Sequence, residues 1–357
     1  MKSINKIKIF NDYFKDSKVL ITGHNGFKGT WLSKILTMNG AKVYGFSKKN
    51  NNPHFAKLHF NNKLYNKEGD ITNFKQIKNY IKKTQPDFVF HLAAQALVST
   101  SLINPLETIQ TNVIGSANIL ESLRNIKSIR SAVIITSDKC YDNQEWIWGY
   151  REEDKLGGKD PYSASKASAE IIFNSYLKSF FNETKLALAS ARAGNVIGGG
   201  DWSKDRLIPD CVKSINSNKQ ILIRSPKSNR PWQHVLEPLS GYLSLSKKLS
   251  LNKKEFLGSY NFGPDNKSIK NVEEVVKLII SKYGKGRYKI KKNPLSLKES
   301  KLLQLNCDKS KNVLNWYPKW DIYKTIEETI YWYKNYHNNY NPDVLTSNQI
   351  NKYFNES

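Results

Sequence analysis

Cysteine is scarce in this chain. There are three in 357 residues, Cys140, Cys211 and Cys307, odd in number and far apart. They supply neither a zinc spacing nor a disulfide framework, so no metal site is expected and a reducing cytoplasm fits. Long apolar runs are missing too. No stretch approaches the ~20 apolar residues of a spanning helix. The segment from Met1 to Phe10 lacks the apolar run of a signal peptide. No membrane partner is expected, and the location expected is cytoplasmic. Acid is in short supply, with 31 Asp and Glu against 56 Lys and Arg, a net charge of +25. Such an excess suits nucleic acid, an anionic membrane surface or an anionic small ligand. The lysines, however, are scattered through asparagine- and isoleucine-rich sequence. Clusters such as Lys48-Lys49 and Lys291-Lys292 are short and carry no interleaved aromatics. Compositional bias accounts for them, and no nucleic-acid partner is expected; steep salt dependence of DNA retention would be its signature. Internal repeats and long low-complexity linkers are also absent.

What is present is a globular composition, 39% apolar and 12% aromatic, long enough for one large domain or two interleaved ones. Residues 1–17 read as a polar lead-in. Lys18 to Thr22 is a buried strand that runs into Gly23-His24-Asn25-Gly26-Phe27-Lys28-Gly29 and then a helix through Met38. Strand, glycine turn and helix in that order let backbone N–H groups meet a pyrophosphate at a helix N-terminus. Strands follow at Lys42–Phe46, before Gly69-Asp70-Ile71, at Asp87–His91, at Ser131–Thr136 and at Leu186–Ser190, with helices between them. That alternation predicts an α/β fold, a doubly wound parallel sheet of Rossmann type. Where an acid would hold the ribose 2′-OH of NAD, the second strand ends in Ser47-Lys48-Lys49. NAD and NADP both stay open at that position. Asp70 has two readings that can hold together, an acceptor for the adenine amine and an N-cap for the helix through Phe74, Ile77 and Ile81. Leu92, Ala93, Ala94 and Gln95 follow the next strand, and small residues there suit either a cofactor ribose or plain packing. Asn112 reads as a structural hydrogen-bonder.

The centre of the chain is Asp160-Pro161-Tyr162-Ser163-Ala164-Ser165-Lys166. Pro161 suits the first turn of a helix predicted over 161–180. Tyr162 and Lys166 are four apart and share one face. A phenol has a pKa of about 10, and a neighbouring ammonium lowers it, so the pair can act as a base toward a substrate hydroxyl. Ser137, Asp138 and Lys139 stand together at the carboxyl end of a parallel strand, where side chains meet the ligand crevice. Beyond residue 191 the sequence turns glycine-rich, through Arg192, Gly194, Asn195 and Gly198 to Asp201. Arg206, Arg224 and Arg230 follow, with Gln233 close behind. Arginine kept in so lysine-rich a chain points to forked contacts, for which a diphosphate is the natural partner. Two or three of the four are expected on ligand. A helix over 235–249 and a strand at 260–263 return to the main sheet. Further helices are predicted over 272–283, from 307 and over 322–336. The polar tail, 338–357, is expected to be loosely ordered.

These residues resemble the extended short-chain dehydrogenase/reductases from about Lys18 to Tyr336. The glycine turn at 23–29, His91-Leu-Ala-Ala and Tyr162-x-x-x-Lys166 are shared by that whole superfamily. More specific are the blocks around Thr22–Gly29, Thr136–Tyr141, Arg192–Trp202, Asp205–Asp210 and Arg230–Tyr242, which together resemble the CDP-glucose 4,6-dehydratases. Asn25 departs from the usual threonine, and Ser47 to Phe55 matches only in length and Pro53. The resemblance implies NAD as cofactor, held by Gly23, His24, Gly26, Phe27, Lys28, Gly29, Asp70, Ile71, Leu92, Ala93, Ala94, Tyr162 and Lys166. It implies a nucleotide sugar held by Gln95, Arg192, Asn195, Arg206, Arg224, Arg230 and Gln233. The implied reaction oxidises the sugar at C4, eliminates water across C5 and C6, and returns the hydride to C6. Tyr162 and Ser137 would serve the C4 oxygen, Lys139 would take the C5 proton, and Asp138 would protonate the departing C6 hydroxyl. Related dehydratases carry glutamate where Lys139 stands, and an amine is a base only when neutral; direct action and action through water both stay open. A 4-epimerase would not need the acid and base at 138 and 139. A cofactor-binding scaffold without catalysis would not need all five positions filled. Residues 1–191 are expected to bind the cofactor, with returns near 234–263, and 192–336 mainly the sugar nucleotide, ahead of the tail at 337–357. Helices near 105–125 and 162–180 carry broad apolar faces, and the resemblance implies a homodimer through them.

Overall fold

The computed structural model describes residues 9–265, 268–291 and 302–356. Most of the polar lead-in, residues 1–8, lies outside the described residues, as does Lys292. The first half alternates as expected: β1 (Lys18–Thr22), α1 (Phe27–Met38), β2 (Lys42–Ser47), α2 (Pro53–Lys57), β3 (Leu64–Glu68), α3 (Phe74–Thr84), β4 (Phe88–His91), α4 (Val98–Ile103), α5 (Pro105–Ile109), α6 (Gly115–Leu123), β5 (Ser131–Ile135), α7 (Pro161–Tyr176) and β6 (Ala187–Ala193). Then come β7 (Val196–Ile197), α8 (Leu207–Asn216), β8 (Ile221–Ile223), β9 (Asn229–Arg230), β10 (Gln233–His234), α9 (Leu236–Leu251), α10 (Lys253–Phe256) and β11 (Gly258–Phe262). The chain ends with β12 (Lys270–Asn271), α11 (Val272–Tyr283), β13 (Tyr288–Ile290), α12 (Asp308–Leu314), α13 (Ile322–His337) and α14 (Pro342–Asn355).

Seven parallel strands make one sheet in the order β11-β6-β5-β4-β1-β2-β3. β1, β4 and β5 are almost wholly apolar and buried, as strands covered on both faces must be. Their register pairs Thr22 with His91 and His91 with Ile134. The carboxyl ends of β1, β4 and β5 therefore lie level, and the order reverses between β1 and β4. Ligands of doubly wound sheets bind at such a crevice. One core fills the face covered by α1, α9, α11 and α13; the other lies under α3, α6 and α7. α9 packs on β5 and β6, and β11 pairs with β6, so the late part of the chain closes the main sheet. The short pairs β7–β10, β9–β12 and β8–β13 stand apart from it.

Two expectations need correction, and a third gains a detail: the helix over 105–125 is present as 105–123 and carries a π turn, Gln110–Ile114, between α5 and α6. It turns Asn112 inward, where its amide bonds Gln95 and Ser165. The N-cap of α3 is Asn73, which accepts from the Gln76 N–H, and not Asp70. The tail is an ordered helix. α14 starts on Asn341 and Pro342 and buries Leu345, Ile350 and Tyr353. Lys34 pairs with Asp343 at 2.6 Å, and His54 bonds Thr346 at 2.9 Å. Its apolar positions are sparse, and Thr346 and Gln349 complete the buried stripe. A stripe half built of polar side chains carries little periodic signal.

Candidate active site

The glycine turn sits at the carboxyl end of β1. Gly23 has φ +72°, and a Cβ there would come within 2.7 Å of the Ala93 nitrogen. A Cβ on Gly29 would lie 2.1 Å from the Gly23 oxygen. Only glycine lets the turn close this tightly. α1 begins on Gly26 with no side-chain cap and no acid in its first turn. Its first N–H groups are thus left for an anion. The groove beside it is lined by Gly23, Gly26, Phe27, Lys28, Gly29, Asp70, Ile71, Leu92, Ala93 and Ala94. These residues fit a dinucleotide: small where backbone must approach, and polar at the far end. There Lys48 pairs with Asp70 at 3.2 Å. Burial pushes the Asp70 carboxyl up; Thr72 and Lys48 outweigh it and hold it below the usual range. His24 does not reach the groove. Its ring is buried against Gly45 and bonds Asn66 at 2.8 Å and Ser47 at 3.0 Å. Burial pulls its pKa down to about 4, so it is neutral and structural.

The larger cleft, of about 900 Å³, opens over the ends of β4, β5 and β6. Ser137, Asp138, Lys139, Tyr162 and Lys166 all line it. α7 delivers the last two: Asp160 caps it by accepting from the Ser163 N–H at 2.9 Å, and Pro161 occupies the first turn. Tyr162, only 8% exposed, lies beside Ser137, whose hydroxyl donates to Asp138 at 2.9 Å. The Lys166 Nζ lies 6.0 Å from the Tyr162 ring centroid. Here the electrostatics differ from expectation. Burial, joined by the charge of Asp138, pushes the Tyr162 phenol up to about 12, against neighbouring Ser137 and Arg206. Burial lowers Lys166 to about 8, against Glu170 and Cys140. Desolvation, not the ammonium, decides the direction of the phenol's shift. Asp138 is buried, its Oδ2 has no hydrogen-bond partner, and burial raises its carboxyl despite Lys139, Ser137 and Arg230. That suits a proton donor. Lys28 also faces the cleft, pulled down to about 7 by burial, Lys166 and Arg206.

Of the residues assigned to the sugar nucleotide, Asn195, Arg206, Arg224 and Arg230 line the cleft. Arg206 rests against Asp201 at 3.1 Å, and Arg224 against Asp205 at 3.4 Å. Three do not line it. Arg192 is 1% exposed and donates to Glu170 at 2.7 Å, to the Tyr141 hydroxyl and to the Glu152 carbonyl. It was read as a ligand arginine because only its rarity, not its burial, shows in the sequence. Gln233 is fully buried and donates to the Phe262 carbonyl. Gln95 spends its side chain on Leu97 and Thr108. Sequence reasoning missed Trp232, Ile221, Ile223 and Pro209, which wall the outer cleft. They sit in short β segments and a helix start with no periodic signal. It also missed Glu170, although its place one turn beyond Lys166 was visible.

The family model for GDP-mannose 4,6-dehydratase matches residues 20–329. The chain is 42% identical over 333 residues to the CDP-glucose 4,6-dehydratase of Salmonella typhimurium, covering 91% of this chain and 93% of that protein. It is 29% identical over 280 residues to the dTDP-D-glucose 4,6-dehydratase of Dictyostelium discoideum, covering 73% of this chain and 61% of that protein. The structure of dTDP-glucose 4,6-dehydratase from Bacillus anthracis in complex with NAD gives a TM-score of 0.76 at 24% identity, over 91% of this chain and 99% of that one. UDP-glucose 4-epimerase of Thermotoga maritima gives 0.78 at 20% identity, over 90% and 99%. The structural matches speak for the fold; the family rests on the sequence match. The chain belongs to the GDP-mannose 4,6-dehydratase family.

Proposed function

We propose that the protein is an NAD-dependent lyase that converts CDP-glucose to CDP-4-keto-6-deoxyglucose and water. The observation that carries the reaction type is the cleft itself: an acid, an amine and a Tyr–Lys pair face one cavity. The identity to the Salmonella enzyme supports the cytidine nucleotide. NAD, held in the glycine-turn groove, supplies the hydride acceptor for C4 and the hydride donor for C6. Lys48 is paired with Asp70 beside that groove, which weakens the case for a 2′-phosphate. Residues 1–191, with the return through α9 and β11, serve the cofactor, and 192–336 mainly the sugar nucleotide.

The chain's own residues divide the proton work. Tyr162 takes the C4 hydroxyl proton, the positive charge of a bound nicotinamide offsetting the burial that raises its phenol, and Ser137 holds the same oxygen. The resulting ketone makes the C5 proton acidic, and Lys139 removes it. Asp138, whose carboxyl is raised by burial, protonates the C6 hydroxyl as it leaves. Arg206, Arg224 and Arg230 exchange their present partners for the diphosphate. An epimerase would need no carboxyl acid beside the amine.

α5, α6 and α7 pack together and leave Leu106 74%, Ile114 49% and Ile171 57% exposed. We assign this face to a homodimer; Ile171→Arg should give a monomer by light scattering, and an unchanged dimer would refute it. The free, buried cysteines agree with a reducing compartment. Among the described residues no helix is long and apolar enough to cross a membrane.

The test is direct. Protein, CDP-glucose and NAD are incubated, alkali is added, and the absorbance of the 4-keto sugar is followed beside Tyr162→Phe and Lys139→Ala. Signal from wild type alone supports the reaction and both roles. Signal surviving in Lys139→Ala removes Lys139 as base. Signal only with dTDP- or GDP-linked sugar keeps the reaction and refutes the substrate.

A further inference from the structure

Arg192 and Glu170 form a fully buried ion pair beneath the cleft, and neither lines it. Each arm of the pair ends beside a residue of the site. Glu170 lies on α7, one turn beyond Lys166 and two beyond Tyr162. One of its oxygens accepts from Thr136, the residue before Ser137. The other accepts from Arg192, Ser190 and Ser259, on β6 and β11. Arg192 then donates at 2.8 Å to the hydroxyl of Tyr141, two residues after Lys139. Its other 2.8 Å bond, to the Glu152 carbonyl, fixes the segment that leads back toward α7. Backbone alone joins β5 to β6 only as far as the Thr136 N–H on the Ala191 carbonyl. Past that point the tip is tied by backbone to the segment before α7, Gly157 N–H on the Cys140 carbonyl and Asp142 N–H on the Lys155 carbonyl, and the pair adds the buried side-chain link from Thr136 and Tyr141 to α7 and β6.

We propose that Glu170 and Arg192 are positioning residues, which hold the Ser137–Lys139 tip and the Tyr162–Lys166 face in one register for oxidation at C4. A lone buried charge is costly, so removing either member strands the other; of the guanidinium only Nε lacks a hydrogen-bond partner. The fork of arginine is required because three partners in different directions share one guanidinium. This explains an arginine retained in a lysine-rich chain at a place where no ligand reaches. The pair has a second effect. Glu170 is the carboxylate that most raises Lys166, against burial. The other groups that face Lys166 are Cys140 from the β5 tip, Lys28 from the glycine turn and His91 from β4. Of these His91 is held neutral by burial, and Lys28 opposes the ammonium.

The inference rests on the proposed C4 oxidation but not on the nucleotide, so the assay uses whichever nucleotide sugar the wild type turns over. Three variants are compared: Glu170→Gln, Arg192→Lys and Thr136→Val. Each is measured for kcat, KM, thermal midpoint and the Lys166 titration point by NMR of ¹³C-lysine protein without ligand, assigned with Lys166→Arg. A register error near 1 Å costs about 100-fold in rate. Glu170→Gln should therefore lower kcat about 100-fold with KM little changed, and move the Lys166 titration below its position near 8. Arg192→Lys keeps the charge and loses the fork, so kcat should fall with the titration point in place. Thr136→Val should do the same by cutting one link. A folded Glu170→Gln with wild-type kcat overturns the proposal. So does a fall in kcat matched by KM with Lys166 titrating as before. If Glu170→Gln fails to fold, unchanged kcat in both other variants overturns it. If no nucleotide sugar is turned over, the proposed function fails, and the Lys166 titration separately decides the electrostatic part.

Discussion

Replacing Asp138 by asparagine removes the carboxyl's ability to donate a proton and little else. The side chain is 3% exposed, and its Oδ2 has no hydrogen-bond partner to lose. Oδ1 keeps its acceptor role toward Ser137 at 2.9 Å. Volume is conserved, so the Gly194 wall, where a Cβ would sit 3.0 Å from Oδ2, is undisturbed. Burial raises the carboxyl, and the Lys139 charge, the Ser137 hydrogen bond and then the Arg230 charge pull back. An amide cannot donate that proton to a leaving hydroxyl. Loss of a positioned general acid costs about 10²–10⁴ in rate, or about 3–5 kcal/mol of barrier. Asp138→Asn should accordingly lower formation of the 4-keto sugar by that factor with KM nearly unchanged. Steps before elimination need only Tyr162, Ser137 and Lys139. In D₂O, CDP-glucose recovered from the variant should carry deuterium at C5, read by NMR. Wild-type turnover by Asp138→Asn would refute the assignment of the acid. A slow variant without deuterium at C5 would place Asp138 before the elimination.

Three further outcomes are expected. Gly23→Ala forces a Cβ to 2.7 Å from the Ala93 nitrogen at φ +72°; NAD affinity by calorimetry should fall at least about tenfold, and unchanged affinity would count against the groove. Burial raises Glu237 to about 7, while its carboxyl holds the Lys319–Trp320 backbone and the Tyr353 hydroxyl. A raised folded pKa gives stability that is complete below about 4.5 and lost as pH rises through about 7. Relative to wild type, Glu237→Gln should therefore gain up to about 3 kcal/mol between those pH values, seen as a pH-dependent difference in denaturant midpoints; a constant difference would refute it. Tyr353→Ala, at a ring 1% exposed on α14, should cost about 3–5 kcal/mol by urea unfolding, and a cost under 1 kcal/mol would mean that α14 is dispensable.

Much of the molecule was determined locally. Thr22 to Gly29 dictates its own turn, because a glycine at φ +72° and helix N–H groups without a cap follow from the residue order alone. Continuous apolar runs set β1, β4 and β5, and α7 was set by Asp160, Pro161 and the i, i+4 pair. Tertiary structure decided what depends on distance in the chain. Arg192, Gln233 and Gln95 read as polar residues free for ligand; burial handed them to Glu170, Phe262 and Thr108 instead. Tyr162 was expected to be acidified by Lys166, and desolvation, which no sequence displays, reversed the sign. α14 and the Glu170–Arg192 pair are alike in this. Each is stabilised by polar side chains whose partners lie 22 to 309 residues away. Apolar periodicity reports which face of an element is buried. It is silent on which buried polar group meets which, and in this protein those meetings hold the site together.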